Sequence, residues 1–74
     1  MTQLQAAFSL MIQRPTANYE LAEVGLQYNR IIHDLRHRKH LDVKRVDTDD
    51  PKVSLYHIET PEGMRPDVSN LRFV

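Results

Sequence analysis

The sequence predicts an α+β fold in which three helices precede a two-stranded β-hairpin. Apolar residues recur at helical spacing in the first and third helical segments, and a proline, polar capping residues and a glycine separate the helices. Two short segments rich in valine, leucine, isoleucine and tyrosine then flank an aspartate- and proline-containing turn. A chain of 74 residues makes one small domain, whose thin core leaves little room for an enclosed active site.

The first helix is predicted in the N-terminal segment TQLQAAFSLMIQRP. Its apolar residues fall at i, i+4, i+7 and i+8 and form one stripe: Leu4, Phe8, Met11 and Ile12. Pro15 ends the helix because proline removes a backbone donor and disfavours the helical conformation at the preceding residue.

The segment TANYELAEVG predicts a short second helix. Thr16 or Asn18 caps its start, Glu20 lies in the first turn where the helix dipole favours an anion, and Gly25 serves as C-cap. A capping box would need serine or threonine at Ala17, so we expect a frayed start.

The third helix is predicted over residues 27–39. Its buried face consists of residues at i, i+3, i+4 and i+7, namely Tyr28, Ile31, Ile32 and Leu35. The opposite side carries Arg30, His33 and His37, flanked by Asp34 and Arg36. Because a short glycine-containing turn joins it to the second helix, the pair forms a helix-turn-helix arrangement.

The hairpin is predicted over residues 41–58, where LDVKRV and KVSLYHI flank the turn DTDDP. An isolated hairpin is marginal in water, so it must pack on the helices. Three helices followed by a two-stranded β-wing define a winged helix-turn-helix domain, here residues 1–59. Residues 60–74 are expected to form a C-terminal arm that is partly ordered or docks through its apolar end, which is Leu71, Phe73 and Val74.

Composition excludes several classes of protein. The absence of cysteine excludes disulfides and thiolate metal sites, and no apolar segment is long enough to span a membrane. The chain has two glycines and no phosphate-binding loop, and its serines lie in no nucleophile motif. We therefore expect a cytoplasmic protein that is not an enzyme and needs no cofactor.

The formal net charge of zero conceals a strong polarity along the chain. Residues 27–46 contain six basic and two acidic side chains, a net +4, whereas the other segments contain four basic and eight acidic side chains, a net −4. A basic segment on one helix and its hairpin indicates a nucleic-acid-binding surface. The alternative is an ordinary solvated helix face.

The third helix and the end of the hairpin resemble those of small winged helix-turn-helix proteins encoded by bacteriophages and prophages. The matching residues are Arg30, Ile32, His33, Asp34, Leu35, Arg36 and Arg38 in the helix, with Tyr56 and Ile58 at the end of the wing. The resemblance covers about residues 4–58 and departs at Lys39 and His40, where that family tends to have a glycine and an aromatic residue. It implies a phage origin, with the cytoplasm of the host cell as the location, and DNA binding.

Ten residues are expected to contact double-stranded DNA. In a helix-turn-helix protein the second helix of the motif enters the major groove, where its N-terminal residues meet base edges. The base-reading candidates are Gln27, Asn29 and Arg30, and His33 and His37 lie on the same face. The phosphate-binding candidates are Arg36, Arg38, Lys39, Lys44 and Arg45. A single copy should bind weakly, so we expect a homodimer on two half-sites.

Two alternatives compete with DNA binding. His33, His37 and His40 would share a helical face if the helix continued that far. Without cysteine, an HExxH motif or an acidic partner beyond Asp34 and Asp42, we expect no metal site. The second alternative is an anti-defence protein that uses the winged-helix scaffold to inhibit a host protein such as a CRISPR-type nuclease complex. Acidic residues at the wing tip favour it, because Asp47, Asp49 and Asp50 would repel phosphate.

Overall fold

The computed structural model of the protein describes residues 2–24 and 27–74, which form an α+β structure with three α-helices, a three-stranded antiparallel sheet and a separate two-stranded one. The helices are α1 (Gln3–Gln13), α2 (Asn18–Val24) and α3 (Tyr28–His37), and the strands are β1 (Thr16–Ala17), β2 (Lys44–Asp47), β3 (Ser54–His57), β4 (Pro66–Asp67) and β5 (Arg72–Phe73). The predicted α+β class is confirmed, and the order of elements is compatible with the predicted winged-helix layout. No helix in this part of the chain is both long and apolar enough to cross a membrane.

Helix α1 begins with a capping box. The Thr2 hydroxyl accepts from the Gln5 backbone N–H at 3.1 Å, and the Gln5 side-chain oxygen accepts from the Thr2 backbone N–H at 2.9 Å. The helix ends at Gln13, two residues before Pro15, as predicted. Its buried face matches the predicted stripe, with Phe8 and Met11 in the core and Leu4 and Ile12 partly buried against it.

The start of α2 is held in place, so the expectation of a frayed start is wrong. Thr16 and Ala17 form β1 and pair antiparallel with β3 immediately before the helix begins. The Glu20 carboxylate also accepts a hydrogen bond from the Ala17 backbone N–H at 3.2 Å, which satisfies one of the free donors of the first turn. The predicted C-cap, Gly25, lies outside the described residues.

Helix α3 ends at His37, two residues earlier than predicted, because the chain turns sharply after it. His40 takes a left-handed conformation with φ 56°, and the Leu41 backbone N–H then donates to the Leu35 carbonyl oxygen at 2.9 Å. Left-handed backbone at a helix end usually requires glycine. The buried face is the predicted one: Ile31, Ile32 and Leu35 are buried, and Tyr28 packs against the core.

The hairpin forms, but its strands are shorter than the predicted segments. β2 and β3 pair antiparallel with Lys44 opposite His57 and Asp47 opposite Ser54. The strand order is β1-β3-β2, which places β2 at the edge of the sheet. Leu41 and Val43 lie outside the strand and enter the core with Tyr56 and Ile58.

The C-terminal arm packs on the body of the molecule. β4 and β5 pair antiparallel, and Leu71 between them is only 7% exposed although its φ is 53°. The Phe73 ring lies edge-on to Phe8, with ring centroids 5.5 Å apart. Gln5 Nε2 donates to the Ser69 carbonyl oxygen at 3.1 Å. The arm therefore covers one side of α1, while Val74 is exposed.

Candidate nucleic-acid interface

The outer face of α3 and the residues at its two ends form an exposed surface. All ten predicted DNA-binding residues are exposed, and seven of them lie on this surface: Gln27, Asn29, Arg30, His33, His37, Arg38 and Lys39. The helix buries its opposite side in the core, as its apolar spacing predicts. The sequence pattern therefore placed these side chains correctly with respect to solvent.

Three cations on this surface have no acidic partner within the described residues. Arg30, Arg38 and Lys39 form neither an ion pair nor a side-chain hydrogen bond with any residue in 2–24 or 27–74. Each cation is therefore available to an anion without first breaking such a contact.

Arg36 is held by the chain itself. Its Nε and one terminal guanidinium nitrogen donate to the Val43 carbonyl oxygen at 3.1 and 2.7 Å. This contact ties the last turn of α3 to the segment that leads into β2. Arg36 was predicted as a phosphate contact, and the structure gives its guanidinium a role in orienting helix and hairpin.

The two predicted wing cations are paired with carboxylates. Lys44 Nζ lies 3.2 Å from Glu59 Oε2, and Arg45 Nε lies 3.3 Å from Asp47 Oδ1. All four side chains are at least half exposed. Exposed pairs of this kind contribute little to stability, about 0–1 kcal/mol each, so an external phosphate can compete for either cation.

The wing tip is a turn that is held by side-chain hydrogen bonds and carries acidic side chains. The Thr48 hydroxyl lies 2.9 Å from the carbonyl oxygens of both Asp50 and Val53, and the Asp50 carboxylate accepts from the Lys52 backbone N–H at 2.9 Å. Asp49 is exposed beside it. The tip is thus fixed by its own hydrogen bonds, and its negative charge points to solvent.

The three histidines do not share one face. His33 and His37 lie together, with ring centroids 4.5 Å apart, but His40 follows the end of the helix in a left-handed conformation. His33 Nδ1 is 3.9 Å from the neighbouring Asp34 carboxylate. Within residues 2–24 and 27–74, no group of three or more histidine, cysteine, aspartate or glutamate side chains is arranged to hold a metal ion.

A shallow groove runs beside the predicted base-reading residues. It has a volume of about 340 Å³, and its lining includes Gln3 and Leu4 of α1 together with Gln27, Arg30 and Asp34. The sequence did not predict Gln3 as part of this surface. No local pattern points to it, because its position beside α3 depends on how the two helices pack.

No protein-family model, curated protein or solved structure matches this chain. The class of molecule therefore follows from the geometry: a small α+β domain whose third helix presents amide side chains and cations to solvent. Three of these cations have no acidic partner in the part of the chain that the structure describes. Beside that helix lies a hairpin whose cations are paired and whose tip is acidic.

Proposed function

We propose that the protein is a small winged helix-turn-helix protein that binds double-stranded DNA, in the manner of a phage-type transcription regulator. The order of three helices and a hairpin supports this assignment, as does the sheet order β1-β3-β2, in which Tyr56 of β3 packs in the core with residues of all three helices. α3 is then the second helix of the motif and enters the major groove.

The observation that carries the proposal is a set of three cations on and just after α3 that have no acidic partner within residues 2–24 and 27–74. Arg30 lies in its first turn and Arg38 and Lys39 follow its last, so the cations span the length of the helix. Gln27 and Asn29 lie at its N-terminal end, where glutamine and asparagine can pair bidentately with adenine and Arg30 with guanine. Arg38 and Lys39 bind phosphates on either side of the groove.

The wing has a smaller part in the proposed complex. Lys44 and Arg45 reach phosphates only by exchanging their carboxylate partners, a small cost for exposed pairs. Arg36 acts through its contact with Val43, which sets the wing relative to α3. A homodimer on two half-sites would compensate for the few phosphate contacts made by one copy.

Binding to a random-sequence duplex, measured by fluorescence anisotropy across a salt series, tests the proposal. We expect affinity that falls with salt, and R38Q should weaken binding to all sequences alike and reduce the salt slope by about one. R30Q should instead relax base preference among duplexes. R65Q removes one charge from the arm and is the matched control. Wild-type affinity in both R30Q and R38Q at low salt would rule out this interface.

A second function is favoured by the charge of the wing. Its cations are neutralised by Glu59 and Asp47, and its tip carries Asp49 and Asp50, so it suits a basic protein surface better than phosphate. In this role the protein blocks a nucleic-acid channel of a host defence nuclease complex, such as a CRISPR-type effector.

The same salt series separates the two functions. Inhibition of a host nuclease without salt-sensitive DNA binding would support the protein partner. The D49N/D50N variant should then lose inhibition, because asparagine at residue 50 can still accept from Lys52 and keeps the turn. Inhibition that survives in D49N/D50N would count against the acidic tip.

A further inference from the structure

Strand β2 is an outer strand with one edge open. All four residues of Lys44–Asp47 are exposed, and among the described strands only β3 pairs with it. The outer edge of β2 therefore presents backbone N–H and C=O groups without a strand partner in this part of the chain. Such an edge is a template for another strand.

We propose that β2 pairs antiparallel with β2 of a second copy of the chain, about a two-fold axis through Val46. In two identical antiparallel strands, the same residues direct their backbone groups outward in each copy. The axis must therefore pass through a pair of equivalent residues. With Val46 on the axis, Arg45 lies opposite the partner's Asp47, and Asp47 lies opposite the partner's Arg45.

The other registers of this strand are unfavourable. An axis through Lys44, Arg45 or Asp47 would place two like charges directly opposite each other, which destabilises a strand pair. Only the Val46 register sets an apolar pair at the centre with an opposite-charge pair on each side. The sequence Arg-Val-Asp is self-complementary in this sense.

The two faces of β2 are already arranged for this pairing. Arg45 and Asp47 share one face and contact each other at 3.3 Å, so each guanidinium in the dimer lies between its own Asp47 and the partner's Asp47. Val46 is on the other face opposite Leu55 and is 48% exposed. Two copies join these pairs into one apolar strip across the axis.

Charged residues on edge strands commonly prevent association. In β2, however, the order Arg45-Val46-Asp47 favours one partner, which is the antiparallel β2 of a second copy. The interface is short, and a four-residue strand buries well under about 1,200 Å², the lower range of stable interfaces. We therefore expect a weak dimer that forms at high protein concentration and low salt. The pairing does not depend on DNA binding.

One consequence does rest on the proposed function. The two-fold axis of an antiparallel strand pair is perpendicular to the sheet, so the helices of both copies lie on the same side of the joined sheet. The two α3 helices are then related by two-fold symmetry, as two half-sites require.

Sedimentation equilibrium of the DNA-free protein at low salt tests the pairing with two charge variants. R45D carries two acidic side chains at positions 45 and 47, and D47R carries two basic ones, so each should repel itself and stay monomeric where the wild type dimerises. An equimolar mixture of R45D and D47R should associate, because each basic strand then faces an acidic one.

R65D changes charge by the same amount on the arm and should dimerise like the wild type. Circular dichroism checks that each variant is folded. If R45D or D47R is unfolded, V46K takes its place, because it puts two like charges on the axis. A wild type that stays monomeric throughout the series would overturn the proposal. So would a mixture no more associated than either variant alone, or a dimer lost in R65D and kept in R45D.

Discussion

The guanidinium of Arg36 donates two hydrogen bonds, through Nε and a terminal nitrogen, to the carbonyl oxygen of Val43. This contact joins the end of α3 to the start of the hairpin across the left-handed turn at His40. It fixes the angle between α3 and the hairpin, the two elements that contact DNA in the proposed function.

Replacing Arg36 should therefore lower stability as well as DNA affinity. We expect R36A to reduce the free energy of unfolding by about 1–2 kcal/mol, since the Val43 carbonyl oxygen loses a charged donor. Urea denaturation measures this, and R38A is the control, because Arg38 has no side-chain hydrogen bond within the described residues. Equal stability of R36A and R38A would show that the contact is energetically silent.

His40 should be replaceable by glycine with a gain in stability. A β-carbon in left-handed backbone costs roughly 1–2 kcal/mol, and the greater unfolded-state entropy of glycine offsets part of this. We expect H40G to raise the free energy of unfolding by up to about 1 kcal/mol. K39G is the control and should destabilise, because Lys39 is outside the left-handed region. Destabilisation by H40G would mean that the His40 side chain makes a compensating contact.

Leu71 should anchor the C-terminal arm. The residue accepts a left-handed backbone in order to bury its side chain, so L71A should cost about 2–3 kcal/mol of unfolding free energy. Trypsin cleavage after Arg65 and Arg72 should also become faster, since the arm would detach from α1. V74A changes an exposed residue and should remain within about 0.5 kcal/mol of the wild type. An unchanged rate of cleavage in L71A would show that Leu71 is not the residue that holds the arm against α1.

Stability should fall in acid because of Glu20. Its pKa is lowered from the ordinary 4.5 to about 2, first by the hydrogen bond from Arg14 and then by the Ala17 backbone N–H. The unfolded chain thus binds a proton more readily than the folded one. The contribution of Glu20 is fully present above about pH 4.5 and is lost as the pH falls through about 2.

Thermal unfolding between pH 6 and pH 2 measures this effect. E20Q should be less stable than the wild type at pH 6 and should lose less stability on acidification. A residual slope should remain from Asp67, whose pKa is also lowered, chiefly by the hydrogen bond from Asn70. Identical pH profiles for E20Q and the wild type would contradict the assignment.

Helical spacing predicted the parts of the fold that depend on local sequence pattern. It did not predict the parts that depend on contacts between segments distant in the chain. The buried faces of α1 and α3 followed from apolar periodicity, and the Thr2–Gln5 capping box was present in the sequence but overlooked. β1 is only two residues long and exists through its pairing with β3, so no local signal predicts it. For the arm, the sequence left open whether it is partly ordered or docks through its apolar end. The choice depends on the contact of Phe73 with the distant Phe8, which no local pattern gives.

The candidate site was predictable to a similar extent. The exposure of Arg30 and His33 followed from the phase of the helix. The pairing of Lys44 with Glu59 depends on the register of the hairpin, and the contact of Arg36 with Val43 depends on the early end of α3. Charge counting assigned all six basic residues of the segment 27–46 to one nucleic-acid-binding surface. The structure distinguishes them, because only three have no partner among the described residues.

A titration of the ¹⁵N-labelled protein with a random-sequence duplex at low salt, followed by NMR, shows whether α3 contacts DNA. We expect the largest shift changes at the amides of residues 27–39, smaller ones at Lys44 and Arg45, and none in the arm at residues 60–74, all reversed by added salt. Unchanged amides in α3 at saturating duplex, or changes confined to the arm, would show that α3 is not the DNA-binding surface.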